Sequence, residues 1–398
     1  MKLSNNCHLS YCTNIHPGES LVEVCDNLQQ HTSMIKQMIC PDHPFGLGLR
    51  LSFAAVSELK NPQKLAEFKA LLQAHDFYVF TMNAFPYGTF GEGVVKENVY
   101  LPDWASHKRV DYTIQTASIL SQLMPSNLSF ASISTLPGAY KATIKNSDEF
   151  AQVFSENLLS VIQFLIELKY QTGKVIALGL EPEPCCFLET MDEVVNFFHE
   201  FIVSQSAISS LAKQLKLSYV DAELNLRQHL GVCLDFCHAA VEFEDPDHCL
   251  SVLLNNGISI VKAQVSSGLC VNPNHADSVK QLMMFDEQRY LHQVIEKSAN
   301  RLKRFSDISN ALAYATIDKN REWRVHFHVP VYDSHIQSLA TTQEFVIELL
   351  KKHQQTPFTQ HFEIETYTWN VLPKNEHSSA TLCQNIIKEL DWCMSHFS

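Results

Sequence analysis

The chain has 398 residues, 45% hydrophobic and 10% aromatic, which is ample for a large buried core. Its 30 Lys+Arg against 43 Asp+Glu leave a net charge of -13, a poor electrostatic match for nucleic acid or an anionic membrane surface. No stretch approaches the roughly 18 apolar residues needed to span a bilayer, and the N-terminal MKLSNNCHLSYC lacks the apolar segment of a secretory signal, so a cytoplasmic protein is expected.

HLSYCTNI (8–15) alternates and is predicted as a first strand, ended by Pro17-Gly18. GLGLRLSF (46–53) is a second. Asn61 before Pro62 reads as a helix cap, with Leu65, Phe68, Leu71 and Leu72 as the apolar stripe. FYVFTMNAF (77–85) is a third strand. The segment from Pro86 to Trp104 is long, aromatic and without helical period, a candidate lid. A helix from about Arg109 to Met124 leads to a fourth strand, LSFASIS (128–134).

A long helix opens at Ser147, carries Phe150, Phe154, Leu158, Val161, Ile162 and Leu165 at helical spacing, and stops at Gly173. VIALGLEP (175–182) is the fifth strand, followed by helical segments over roughly 191–218. GVCLDFCH (231–238) and SIVKAQVS (259–266) are the sixth and seventh. HFEIETYTW (361–369) is the last, sealed by a helix near 379–394. WRVHFHVPV (323–331) makes a ninth strand and is assigned to an insertion covering roughly 268–340, because eight strands close a barrel without it.

Strand–helix alternation is the pattern of a parallel sheet. Strands that are apolar along their length and polar at their C-terminal ends fit an α/β (β/α)8 TIM barrel, whose mouth gathers such ends. No long Gly/Ser/Pro linker divides the chain, so a single domain over 1–398 is expected. The 12 cysteines include no C-x-x-C pair, which argues against a zinc ribbon. Cys12, Cys185, Cys186, Cys233 and Cys237 lie in or beside predicted strands and read as buried, reduced thiols.

Four strands end in metal-type ligands. Glu181 follows VIALGL directly, and Pro182 and Pro184 end that strand. Glu183 shares its face. Glu181 is either a metal ligand or the partner of a loop cation. Asp235 and His238 form a D-x-x-H in which the carboxylate suits a hard divalent ion and the imidazole ligates or contacts substrate. Gln264 is a weak neutral ligand or a core hydrogen-bonding residue. Lys262, two residues earlier, is a substrate contact or part of a polar barrel layer. Glu363 and Glu365 share a face, and buried acids there are costly unless paired or metal-bound. Glu365 lies nearer the strand's end, and Trp369 closes the run that would form a pocket wall. His326 and His328 share a face in VHFHVPV, which fits a metal or substrate site as well as a half-buried strand with satisfied imidazoles.

This donor set suits a divalent metal ion, with Mn, Mg, Zn and Co fitting about equally. Such an ion would polarise a carbonyl, and Glu181 and Glu365 would form the catalytic ligand-and-base pair. No phosphate-binding glycine loop, nucleophile elbow or H-E-x-x-H motif occurs.

At LEPEP, DFCH, KAQ and ETYTW the chain resembles the xylose isomerase-like TIM-barrel superfamily. The resemblance implies a mononuclear site held by Glu181, Asp235, Gln264 and Glu365, with His238 as companion imidazole. The related epimerases oppose two glutamates, here Glu181 and Glu365. Gln264 departs from the usual His at strand seven. A closer resemblance is to the EboE family of "metabolite traffic" proteins. It is carried by YCTNIHPGES (11–20), the FPYG and VKENVYLPDW strings (85–104), SISTLPG (132–138), HLGVCLDFCHAAVEFED (229–245), FDEQRYLHQV (285–294), WRVHFHVPV and ETYTWNVLP (365–373). It implies a small-molecule metabolite as ligand, and partners encoded in the same bacterial operon. Two alternatives stand beside an isomerase or epimerase. One is an endonuclease IV-like phosphodiesterase, which needs more ligands than these and suits the negative charge poorly. The other is a non-catalytic barrel that binds and hands on a metabolite.

Overall fold

The computed structural model describes residues 1–3, 6–90, 93–299, 301–314, 320–372 and 381–397. Seven strands come in succession: β1 (His8–Tyr11), β2 (Phe45–Arg50), β3 (Phe77–Asn83), β4 (Phe130–Thr135), β5 (Val175–Leu180), β6 (Leu230–Asp235) and β7 (Ile260–Val265). The chain then builds a separate sheet from β8 (Ser267–Val271), β9 (Val294–Ser298), β10 (Arg301–Phe305), β11 (Arg321–Val329), β12 (His335–Ile336) and β13 (Leu339–Thr341). It returns through the helix Gln343–Gln355 to β14 (His361–Ile364).

The eight-stranded sheet runs β1-β14-β7-β6-β5-β4-β3-β2, every pairing parallel. A parallel bridge between Cys12 and Gly48 closes β1 onto β2. Two side chains finish the seam: Ser10 Oγ accepts from Gly48 N at 3.0 Å and Thr13 Oγ1 from Arg50 N at 2.9 Å. The fold is therefore a (β/α)8 barrel. Gly48 is required by close approach, because a Cβ there would stand 1.7 Å from Glu363 Oε2.

Local chemistry sets the helices around it. Asn146 accepts from Asp148 N and Glu149 N to start the helix Ser147–Thr172, and Gly173 ends it in the left-handed region at φ 72. The buried stripe of that helix includes Phe150, Phe154, Leu158, Val161, Ile162 and Leu165. Each such side chain contributes about 1.5–3 kcal/mol by leaving water. Asn61 caps the helix Pro62–Ala74 as its position before Pro62 predicts.

Several predicted boundaries move. The first strand stops at Tyr11, and Thr13–Ile15 form a 3-10 turn. The last strand stops at Ile364, not 369, because the chain turns where Val371 N bonds Thr368 O at 2.8 Å. The predicted helices over 191–218 are interrupted at Ser204, whose side chain caps Gln205–Leu215. The closing helix is Leu382–Ser395; positions 379 and 380 of its predicted span, and Pro373, lie outside the described residues. All 12 cysteines are free, and Cys185 is half-buried where full burial is expected.

The largest correction concerns the insertion. One extra strand is predicted there, whereas β8–β13 form a six-stranded antiparallel sheet in the order β10-β9-β11-β8-β13-β12. It has its own apolar core, with Leu269, Phe285, Val294, Trp323, Val325 and Phe327 packed together. Along β11 the residues alternate, so His326 and His328 leave that core on the opposite face. Against β8 the register runs from Val325↔Leu269 to Val329↔Ser267, four residues against two. The surplus arches β11 where the histidines lie. Arg304 on β10 pairs with Glu242 and, at 3.2 Å, with Glu189, fastening this sheet to the loops after β6 and β5.

Candidate metal centre at the barrel mouth

Two polar levels stack inside the barrel. On the lower one, Lys262 Nζ donates to Glu363 Oε1 at 2.6 Å and to Ser134 Oγ at 3.1 Å, with Lys262 and Glu363 both fully buried. On the upper one stand Glu181, Asp235, Gln264 and Glu365, at the C-terminal ends of β5, β6, β7 and β14. All four are buried. Glu181 Oε2, Asp235 Oδ2 and both amide atoms of Gln264 have no hydrogen-bond partner among the described residues. Glu365 Oε1 is held by Asn14 Nδ2 at 2.8 Å and Asn83 Nδ2 at 3.0 Å.

The D-x-x-H is a helix cap. Asp235 Oδ1 accepts from His238 N at 2.9 Å, starting the short helix Phe236–Val241, and from Ser266 Oγ at 2.7 Å. Its other oxygen is left facing the mouth. His238 Nε2 lies 3.9 Å from that Oδ2 and His328 Nε2 lies 4.0 Å from it.

Three imidazoles converge there. His238 Nε2 is 3.0 Å from His326 Nε2, which is 3.2 Å from His328 Nε2. Each ring is turned by its other nitrogen. His238 Nδ1 donates to Pro182 O at 2.9 Å, His326 Nδ1 to Gln293 Oε1 at 2.8 Å, and His328 Nδ1 to Glu365 O. The prolines of the EPEP string thus end β5 and also supply carbonyls. Pro184 O accepts from Gln293 Nε2 at 3.2 Å, which forces the Gln293 oxygen towards His326. Holding the distant ring nitrogen with a carbonyl acceptor is the usual support of a metal-ligating histidine.

The electrostatics are those of an anionic site lacking a counter-charge. Burial, then Glu365 and Asp235, push the Glu181 carboxyl well above the usual range. Burial chiefly raises Glu183 and Glu365 to about 8 each. Burial pulls His238 down to about 4 and His326 well below its ordinary value, and it also lowers His328, so the rings stay neutral. The residues present fit a divalent ion. Glu181, Asp235 and His238 offer donor atoms within 4.8 Å of one another, and so do His238, His326 and His328.

Above the donors lies a cavity of about 50 Å³ with Glu181, Glu183, Glu365, His238 and His326 in its lining. Phe85, Phe90, Tyr100, Tyr290 and Tyr367 supply aromatic walls. The predicted lid contributes Tyr100, whose hydroxyl donates to Glu183 Oε1 at 2.6 Å and accepts from Gln293 Nε2 at 2.8 Å. Lys96 of the same segment reaches the cavity but is paired with Asp307 at 2.6 Å.

Of the residues expected to meet substrate, Glu183, His238 and His326 line this cavity, and His328 lies beneath them at the imidazole cluster. Lys262 belongs to the level below. Trp369 is turned aside, its Nε1 donating to Glu389 Oε2 at 3.1 Å. Asn14, Asn83, Tyr100 and Gln293 went unnoticed in the sequence. Asn83 ends FYVFTMN as Glu181 ends VIALGL, so the same strand-end pattern marks it; Gln293 carries no such signal.

Neither the protein-family models nor the curated proteins contain a match to this chain. Among solved structures it is similar to a D-tagatose 3-epimerase-like protein, at 12% identity over 98% of this chain and 96% of that one, TM-score 0.48. It is similar to a xylose isomerase domain protein from Alicyclobacillus acidocaldarius subsp. acidocaldarius, at 10% identity over 98% and 99%, TM-score 0.45. A third is an IOLI protein with a bound zinc atom, at 11% identity over 98% and 97%, TM-score 0.43. Among the described residues no helix is long and apolar enough to cross a membrane.

Proposed function

We propose that the barrel mouth binds a divalent ion, Mn, Zn, Co or Mg, through Glu181, Asp235, Gln264 and Glu365. The reaction we assign is proton transfer next to a carbonyl in a small polar metabolite, a sugar- or cyclitol-type isomerisation or epimerisation. The observation that carries this reading is the set of buried oxygen and amide donors on neighbouring strand ends with no partner among the described residues. Buried polar groups are normally satisfied, and an ion would satisfy the oxygens among these, Glu181 Oε2, Asp235 Oδ2 and Gln264 Oε1, together. When bound, the ion supplies Lewis acidity towards a carbonyl oxygen.

The chain's own residues do the rest. Glu181 and Glu365 both line the cavity, from β5 and β14. Burial raises the proton affinity of both carboxyls, so the ionised form of one is a stronger base towards a C–H next to a carbonyl and the protonated form of the other can return a proton to carbon. Asn14 and Asn83 hold Glu365 by one oxygen, leaving the other to work. Tyr100 and Gln293 orient Glu183 and shield it from water.

The phosphodiesterase alternative finds little support, because Lys96, the basic residue in the lining, is already neutralised by Asp307. The likeness to the EboE "metabolite traffic" family, carried by the strings named above, supports a cytoplasmic place in making or exporting a small metabolite, with partners from the same operon.

The test is deuterium uptake from solvent into a panel of keto-sugars and cyclitol ketones by the metal-loaded protein. Glu181→Gln and Glu365→Gln should each abolish exchange while the fold survives. Wild-type exchange in either variant sinks the acid–base assignment. No exchange with any compound by a loaded wild-type protein would favour the carrier instead.

A further inference from the structure

The oxygen donors leave the imidazole cluster unexplained. We infer that His238, His326 and His328 form a nitrogen-rich cation site of their own, next to the oxygen donors and sharing Asp235 with them. Each Nδ1 faces an oxygen that can only accept, Pro182 O, Gln293 Oε1 or Glu365 O, so each carries its proton there. The three Nε2 atoms therefore present lone pairs to one another at 3.0 and 3.2 Å. Lone pairs at that separation repel. A proton on His326 Nε2 would serve one neighbour and leave the other unsatisfied.

A cation between them satisfies all three, and Asp235 Oδ2 is the buried, unpartnered fourth donor. Zinc–nitrogen bonds of 2.0–2.1 Å in a tetrahedron place ligand atoms roughly 3.3 Å apart. The His238–His326 and His326–His328 separations fall just short of that, and Asp235 Oδ2 stands 3.9 and 4.0 Å from His238 and His328, so the carboxylate would move in by some tenths of an ångström on binding. Three imidazoles and one carboxylate select a borderline ion such as Zn2+ or Co2+ over Mg2+ or Ca2+. The inference also gives the second sheet a purpose. Two ligands ride on the arched part of β11, Asp235 ends β6 and His238 lies in the short helix that follows it, and the site exists where the sheet meets the barrel.

The experiment uses the full chain loaded with Co2+ and, separately, Zn2+. Intense visible bands, as from a low-coordinate nitrogen-rich cobalt site, are expected in the wild type. His326→Gln with His328→Gln should lose those bands and about one equivalent of zinc by elemental analysis. Unchanged bands and metal content in that variant would overturn the inference. If the variant fails to fold, anomalous difference density from zinc-soaked wild-type crystals decides: a peak among the three Nε2 atoms supports the site, and none overturns it. Glu181→Gln with Glu365→Gln should keep the visible bands. If that variant also keeps its full metal content, the oxygen-donor reading fails while this one stands.

Discussion

Two residues along β7 and β14 separate the Lys262–Glu363 pair from Gln264 and Glu365, and the two levels treat buried charge in opposite ways. Below, a fully buried carboxylate meets a fully buried ammonium at 2.6 Å, with Ser134 taking a further hydrogen. Above, Glu181 and Asp235 stand beside His238, which burial keeps neutral, Glu365 is held by Asn14 and Asn83, and among the described residues none of the three has a Lys or Arg ion pair. On the lower level the chain itself supplies the counter-charge, although Glu363 Oε2 has no hydrogen-bond partner among the described residues. The upper one has no such cation of its own, and the metal ion proposed above would complete it. Glu244, beyond the helix Phe236–Val241, shows a third solution: burial pushes it to about 8, and it keeps a proton instead of gaining a cation.

The largest effect is expected from breaking the lower pair. Lys262→Met leaves Glu363 buried without compensation, at a cost of about 3–5 kcal/mol in urea unfolding. A loss well under ~1 kcal/mol would erase the contrast, since Lys262 would then contribute no more than an exposed cation does.

Removing the ion comes next. A metal present at about a thousandfold over its dissociation constant stabilises by about 4 kcal/mol. Chelation should therefore lower Tm by several degrees, and re-addition should restore it. A melting curve indifferent to chelator would mean that the upper level is completed by protons, as Glu244 is.

The smallest effect concerns Glu244. Its folded-state pKa lies above the unfolded value of about 4.3. Its contribution is thus fully present in acid and is lost as pH rises through about 8, so stability should fall over that window. Glu244→Gln keeps an acceptor for Met191 N and should flatten that part of the curve, measured as urea midpoints from pH 5 to 8.5. Equal slopes in both proteins would place the proton elsewhere.

Much of the mouth was legible before any coordinates. Glu181, Asp235, Gln264 and Glu365 stand in one register because a buried parallel strand is apolar until it ends, and strand ends gather at one face of a barrel. The prolines after Glu181 marked the end of β5, though not the service of their carbonyls to His238 and Gln293. The six-stranded sheet was missed except for β11. VIEKS and RLKRF, for example, are short, charged and weakly alternating, and they become strands by pairing with each other and with β11. The alternation in VHFHVPV showed that His326 and His328 share a face.

What the sequence by itself determined is therefore the barrel, the ends of its strands and the side chains that would stand there. These follow from local periodicity, which decides which way a residue faces. Tertiary structure alone decided the company those residues keep. It brought β11 over the mouth, set three Nε2 atoms against Asp235 Oδ2, and left Lys262 paired one level below. Partners of that kind depend on the pairing of strands far apart in the chain, and on a two-residue surplus in β11 whose effect exists only opposite β8.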